Sequence, residues 1–436
     1  MKLAFIAMSG LRVEDAELAK LGLTLPGFIE RREVIASLPS LGLLTLAGMT
    51  PKSIQYCYIE LHSFDPGQEL PGEFDVVAIS SFTAQIDEAY SLADCYRAKG
   101  TKVILGGLHV TALPSEAQAH ADCIVLGEGE LSWPKLCNDL LNGNLQPRYD
   151  MRGTSFNLAN APMPSFSILD PSRYNRLTVQ TQRGCPLRCE FCASSIRLSP
   201  TFKVKPVELV VREIQAIKEI WEAPFIELAD DNSFANKRHA RRLVQAIAKE
   251  QVKWFTETDV SVADDPELLN MLADSGCRQL LIGFEAPTAN GLAGIELKTD
   301  WKLKRLDRYQ ESIHRIQSCG ISVNGCFVLG LDGQDERIFE ETIEFVANSG
   351  LSEVQVTLQT PFPGNELFQR LKKEERLLEE RFWQKCTLFD VNFEPSDMTV
   401  NALKSGFRML MEELYADPVT KRRKRNFLKQ ARGTAN

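Results

Sequence analysis

Cys185, Cys189 and Cys192 stand within the run Arg183-Gly184-Cys185-Pro186-Leu187-Arg188-Cys189-Glu190-Phe191-Cys192, three residues between the first pair and two between the second. Three thiolates this close suit a [4Fe–4S] cluster, and three ligands for four irons leave one iron with a site open to a substrate or cofactor. Structural zinc wants four ligands, and no fourth Cys or His lies nearby, the next one downstream being His239. Zinc, and three inert buried thiols flanked by Gly184 and Pro186, are the competing readings. The other cysteines (Cys57, Cys95, Cys123, Cys137, Cys277, Cys319, Cys326 and Cys386) are scattered singly and read as small core residues or spare thiols.

Acids end several apolar runs downstream. Phe225-Ile226-Glu227-Leu228 leads into Asp230 and Asp231, Trp254-Phe255-Thr256 into Glu257, and Gly283-Phe284 into Glu285. Either aspartate is also a good cap for a turn or helix, and Glu257 has an equally ordinary reading as a solvated or structural acid. An acid at a buried strand end needs a partner, so Glu285 is either functional or paired with an arginine. Upstream, three loops carry small polar residues and glycines: Ser80-Ser81-Phe82-Thr83, Leu105-Gly106-Gly107-Leu108-His109-Val110-Thr111 and Gly127-Glu128-Gly129-Glu130. Glycines at strand ends let a flat ligand come close to the backbone. No Gly-x-Gly-x-x-Gly or Walker pattern accompanies them.

Two series of strands and helices position these residues. Lys2–Met8, Ser53–Ile59, Asp75–Ser80, Lys102–Leu105 and Cys123–Leu126 read as short, nearly unbroken apolar strands, as expected where both faces are covered. Helices are predicted between them at Leu41–Met49, Ala84–Ala98, Ser115–His120 and Trp133–Leu141, which implies a parallel, doubly wound sheet over residues 1–144. Residues 145–175, with Pro147, Pro162, Pro164 and Pro171, read as a linker. A second series follows over 176–365, with strands at Leu177–Gln182, Phe225–Leu228, Lys253–Thr258, Gln279–Phe284, Ser322–Leu329 and Glu353–Leu358. Helices are predicted at Val207–Ile220, His239–Lys249, Pro266–Asp274, Asp307–Ser318 and Asp335–Asn348. Six strand–helix units are too few for a closed barrel of eight, so a partial barrel is expected, with the cysteines on the loop after its first strand and therefore at its C-terminal mouth. Residues 366–436 read as a helical segment (Leu367–Arg381 and Ala402–Tyr415), and its aromatics Phe382, Trp383, Phe389 and Phe393 read first as core. The basic stretch Lys421-Arg422-Arg423-Lys424-Arg425, with Lys429 and Arg432, reads as a solvated helix end, and otherwise as a contact for something anionic.

The 436 residues carry 50 Lys and Arg against 58 Asp and Glu, a net charge of −8, which speaks against a broad grip on nucleic acid. No apolar run is long enough to span a bilayer. Met1–Met8 reads as a first strand and not as a signal peptide, so the eleven cysteines are expected in a reducing cytoplasm, free or on metal.

Cys-x3-Cys-x2-Cys on the first β/α loop of a partial barrel resembles the radical S-adenosylmethionine (SAM) superfamily. The resemblance implies an iron–sulfur enzyme. In it the open iron chelates the amino and carboxylate groups of SAM, one electron from the reduced cluster splits the sulfonium bond, and a 5′-deoxyadenosyl radical takes hydrogen from an unactivated carbon. By the same resemblance Asp230 or Asp231 would hold the SAM amino group and Glu257 its ribose. Glu285 would stand in a Gly-Ile-Glu-Ser-like element, and Gly330, in Gly325-Cys326-Phe327-Val328-Leu329-Gly330-Leu331, near the adenine. Pro361-Phe362-Pro363-Gly364-Asn365 is similar to the turn that closes such barrels.

The first domain resembles the cobalamin (B12)-binding domain that precedes many such barrels, through its Gly-Gly-x-His-x-Thr and Gly-Glu-Gly-Glu elements. This implies that Ser80, Thr83, Gly106, Gly107, His109, Gly127 and Glu128 line a cobalamin, with His109 as a contact and not an axial ligand. The Asp-x-His-x-x-Gly motif that supplies a lower-axial histidine is absent, and a scaffold domain without cofactor is the alternative. The fold class expected is thus α/β: a Rossmann-like, B12-binding-type doubly wound domain, a partial (β/α)6 TIM-like barrel and a helical C-terminal segment. The activity implied is that of a cobalamin-dependent methyltransferase acting on carbon of a small-molecule substrate, fed electrons by a flavodoxin or ferredoxin. Radical cyclisation or rearrangement without methyl transfer, and a non-enzymatic metal-binding module, are the alternatives. Methylthio transfer is disfavoured, because neither a second cysteine trio nor an RNA-binding β-domain is visible.

Overall fold

The computed structural model describes residues 1–10, 12–20, 38–192 and 201–433. Six strands build the first sheet: β1 (Lys2–Met8), β2 (Gln55–Leu61), β3 (Val76–Ser81), β4 (Lys102–Gly106), β5 (Cys123–Leu126) and β6 (Arg148–Asp150). They pair in the order β2-β1-β3-β4-β5-β6, every neighbour parallel. Alternation along each strand splits its side chains between two cores. Ala4, Ile6, Val77, Val103 and Ile124 face one helical layer, while Leu3, Phe5, Val76, Ile104 and Val125 face the other. That is why these strands read as unbroken apolar runs. The last strand, β6, comes from the segment expected to be a linker.

The chain then forms β7 (Leu177–Val179), β8 (Gln182–Arg183), β9 (Lys203–Val204), β10 (Phe225–Leu228), β11 (Lys253–Thr258), β12 (Cys277–Glu285), β13 (Ser322–Leu329) and β14 (Glu353–Leu358). Six of them make an all-parallel open sheet in the order β14-β13-β12-β11-β10-β7, the partial barrel expected from the sequence. The run read as one strand, Leu177–Gln182, is in fact two. Backbone N–H groups of Thr181 and Gln182 donate to the Asp230 carboxylate at 2.7 and 3.0 Å, so the chain leaves the barrel there. It continues as a small antiparallel hairpin, β8 against β9, with Arg183 opposite Lys203. The cysteine loop hangs from that hairpin.

The C-terminal segment is less helical than its periodicity suggests. In place of Leu367–Arg381 the helix is Glu366–Lys373, ended by Glu375 at φ +57°. The residues beyond run as irregular chain that carries Phe382, Trp383, Phe389 and Phe393, all four buried. Helices Val400–Tyr415 and Asp417–Gly433 complete the described chain. The basic stretch lies in the second of these and is not wholly solvated: Arg423 is buried and donates to the Leu414 carbonyl at 2.7 Å. Among the described residues no helix is long and apolar enough to cross a membrane.

Candidate active site

The cysteine loop begins at Gly184, whose φ of +88° and approach to the Thr201 carbonyl exclude a side chain: a Cβ would stand 2.8 Å from that oxygen. Its N–H donates to Asp231 at 2.9 Å. On the far side, Cys189 bridges to Glu296, with Glu190 N–H on the Ile295 carbonyl at 3.0 Å and Leu297 N–H on the Arg188 carbonyl at 2.7 Å. The C-terminal segment grips the same loop. Arg370 meets the Glu190 carboxylate with two nitrogens at 3.0 and 2.6 Å, and the Asn365 amide donates to the Phe191 carbonyl at 3.0 Å.

Burial pushes the Cys185 thiol up to about 11, opposed by the Leu187 backbone and by Asn232, whose amide lies 3.9 Å from the sulfur. Burial also pushes Cys189 up, and the charge of Cys192 adds to both. Cys185 and Cys189 therefore sit where burial disfavours a free thiolate and a cation would be welcome. Among the described residues no three His, Cys, Asp or Glu side chains already stand at metal-holding distances. Donor type and spacing along the chain fit an iron–sulfur cluster, and drawing the trio together would fall to the metal's own bonds.

The four acids predicted at the mouth divide by partner. Asp230 is buried, and its carboxylate accepts from Thr181 N–H, Thr181 Oγ1, Gln182 N–H and Ser233 Oγ, the last at 2.7 Å. It holds backbone in place and has no oxygen left for a ligand. Asp231 faces the open space beside Gly184. Glu285, at φ +65° in a bulge of β12, pairs with Lys302 and not with an arginine; the same ammonium reaches the Gly283 carbonyl at 2.8 Å. Glu257 is different. Among the described residues nothing donates to its carboxyl, and burial, reinforced by Glu227, Asp231, Asp230 and Glu285, pushes it up to about 8. A half-buried, unpartnered carboxyl surrounded by like charge is a candidate ligand-binding position. Gly330 faces elsewhere: it has φ +84° and packs against Phe393 and Leu403, so its small size serves a turn and a core contact.

Between this mouth and the carboxyl ends of β3, β4 and β5 lies a cavity of about 400 Å³. Ser80, Gly106, Gly107, Gly127 and Gly129 form one wall, helix Leu41–Met49 a second, and Gln180, Arg183, Ala229 and Asp231 the barrel side. Gly107 needs its φ of +108°, and a Cβ there would crowd Ser80 Oγ at 3.0 Å. A glycine-paved, partly apolar hollow at the strand ends of a doubly wound sheet suits a broad, flat ligand, and among the described residues no histidine lines it. The donor set thus fits a cobalamin held without a histidine from this chain.

Of the other residues assigned to that wall, two sit elsewhere and one is already engaged. His109 is 1% exposed and turned away, with Nε2 3.3 Å from Glu116 and its ring edge-on to Trp383. Thr83 is buried in the turn that starts helix Ile86–Ala98. Glu128 borders the cavity, but its oxygens accept from Arg183, from Lys203 at 2.7 and 2.8 Å and from the Phe156 N–H at 2.7 Å. Arg183, Lys203, Lys302 and Arg370 are the cationic partners of these acids that sequence reading missed. Their partners lie far along the chain, and only the position of Arg183 beside the cysteines was a signal.

Residues 179–346 match the family profile described as the radical SAM superfamily, 34–136 that of the B12 binding domain, and 365–436 that of a domain of unknown function (DUF4070). The bacteriochlorophyllide d C-12(1)-methyltransferase of Chlorobaculum tepidum is 27% identical over 384 residues, covering 86% of this chain and 82% of its own. The structure of the radical SAM methyltransferase TsrM from Kitasatospora setae, with cobalamin and a [4Fe–4S] cluster bound, superposes with a TM-score of 0.62. That match has 13% identity and spans 86% of this chain and 78% of that one. The cobalamin-dependent radical enzyme OxsB, with aqua-cobalamin and SAM bound, gives a TM-score of 0.61 at 15% identity over 94% of this chain and 61% of its own. The two superpositions show the fold, and the profiles fall on the two halves whose edges meet at the cavity. The enzyme thus carries a radical SAM domain over residues 179–346, preceded by a B12-binding domain over residues 34–136.

Proposed function

We propose that this enzyme transfers a methyl group to an unactivated carbon of a small molecule, using SAM, a [4Fe–4S] cluster and cobalamin. The observation that carries the reading is the shared cavity: glycines of the B12-type edge and Gln180, Arg183 and Asp231 of the barrel mouth border one space. Two cofactors must reach one carbon, and a space bordered by both domains supports that reading. When bound, the cluster with SAM supplies a hydrogen-abstracting radical, and cobalamin supplies the methyl group. In this reading Cys185, Cys189 and Cys192 hold the cluster, Glu257 and Asp231 bind SAM through its hydroxyl or amino groups, and Asp230 fixes the turn on which the loop stands. Gly106, Gly107, Gly127 and Ser80 seat the corrin face. Curated relatives named as methyltransferases support the assignment. An electron donor of the flavodoxin or ferredoxin type belongs to the same proposal.

The test needs no substrate. Anaerobically reconstituted protein is reduced with SAM labelled in its methyl group, and bound cobalamin and free nucleoside are analysed. Label on cobalamin together with 5′-deoxyadenosine supports the proposal, and replacing all three cysteines by alanine should abolish the nucleoside. Nucleoside without label on cobalamin would point to radical cyclisation or rearrangement instead, and zinc without iron would end the enzymatic reading.

A further inference from the structure

The Gly-Glu-Gly-Glu turn does two things at once. Gly127 and Gly129 border the cavity, while the carboxylate between them, Glu128, leaves its own domain. It is 3% exposed and accepts from both Arg183 and Lys203, which face each other across the β8–β9 hairpin. In the chain, Arg183 precedes the three cysteines and Lys203 follows them. Glu130 takes the second arm of Arg183 at 2.8 Å, and Gln180 holds the same arm at 2.8 Å. Every position on the Glu128 carboxylate is thus filled by a donor from the loop's base or from Phe156 N–H.

An apolar contact would join two domains with less desolvation. A buried carboxylate gripping two cations does something an apolar contact cannot, because it fixes direction and register. We infer that Glu128 is a positioning residue: it sets where the cysteine loop stands relative to the glycine-paved edge, and so the separation of the two cofactors. This rests on the reading that the loop carries the cluster and the edge carries cobalamin.

Full-length Glu128→Gln, Glu128→Asp and Glu128→Ala proteins test it in two ways. In metal-free protein, alkylation of Cys185, Cys189 and Cys192 should speed up by roughly tenfold in the alanine and glutamine variants, as the loop opens more often, and Asp should restore part of the protection. In protein loaded with both cofactors, electron paramagnetic resonance should show each signal near its normal occupancy. The relaxation enhancement of cobalt(II) by the reduced cluster should fall in the alanine and glutamine variants and partly return with Asp. Unchanged alkylation and unchanged relaxation in the alanine variant overturn the inference. So does loss of cooperative unfolding in the glutamine variant, which would make Glu128 a folding residue only. If the unmodified protein takes up no cobalamin, the functional reading fails, while the alkylation comparison still judges this one.

Discussion

At the scale of single residues, the role proposed for Glu257 comes at a cost in stability. Its carboxyl sits near 8 in the folded protein against an ordinary 4.5, because burial and four neighbouring acids oppose its charge. A raised carboxyl pKa means that the folded state holds a proton which the unfolded state has released. The stability it costs is absent below pH 4.5, grows as pH rises, and is fully present above about 8. Glu257→Gln should therefore raise the melting temperature of the cofactor-free protein by a few degrees at pH 8 and hardly at all at pH 5, a gain on the order of a few kcal/mol. The same change should weaken SAM binding, measured by titration calorimetry. A variant no more stable at pH 8 than the parent would show that Glu257 is already satisfied. The residue scale also explains what was legible. The cysteines stood out because a cluster's ligand pattern is a spacing along the chain, which a sequence displays directly. Asp230, Glu128 and Glu285 could not be sorted, because their roles depend on partners 49, 55 and 17 residues away. A carboxylate next to a glycine looks the same in sequence whether it meets a ligand or an arginine.

At the scale of elements, the periodic pieces were legible and the junctions were not. β10, β11, β13 and β14 run over the residues expected, since alternating burial and unbroken apolar runs leave their mark locally. The β7–β8 break was invisible, because it arises where backbone N–H groups find the Asp230 carboxylate in place of a neighbouring strand. The expected helix 367–381 failed for a related reason. Its second half, residues 374–381, is made of good helix formers, yet Arg376 N–H turns back to the Leu371 carbonyl and the chain leaves. What remains, helix Glu366–Lys373, clamps the cysteine loop through Arg370 and Glu190. The pair is partly exposed, so removing it should cost only about 1 kcal/mol of global stability. The loop should feel it far more, because Arg370 also meets Asp332 at 2.7 Å and so links the loop to the rim beyond β13. Arg370→Ala is expected to leave the melting curve nearly unchanged while a chelator strips iron several-fold faster. Equal rates of iron loss would show that the hairpin alone holds the loop.

At the scale of the whole molecule, the C-terminal segment ties the other two parts together. Phe368, Phe382 and Trp383 are buried in the core of the N-terminal domain, although they follow the barrel in sequence. Asp390 accepts from the Glu14 and Asp15 N–H groups at 3.0 and 2.9 Å, which binds the same segment to the chain just after β1. The polar centre of this clasp is Glu116. It takes Trp383 Nε1 at 3.1 Å and His109 Nε2 at 3.3 Å, with Arg381 3.6 Å away. Burial pushes its carboxyl up, but the two donors and the arginine prevail and bring it down to about 2. A depressed carboxyl pKa gives stability that is fully present above the ordinary 4.5 and disappears as pH falls towards 2. Glu116→Gln should therefore melt earlier than the parent at pH 6, and the gap should shrink steadily below pH 4.5. It should also bring Trp383 fluorescence closer to that of a solvated indole, since the clasp and the indole share one carboxylate. Because cofactor edges on both sides depend on how the domains are held, the variant should bind cobalamin less tightly at pH 6 as well, though Glu116 stands away from the cavity. A melting gap that stayed constant from pH 6 to pH 3 would show that the apolar contacts of Phe382 and Trp383 hold the domains without help from this charge.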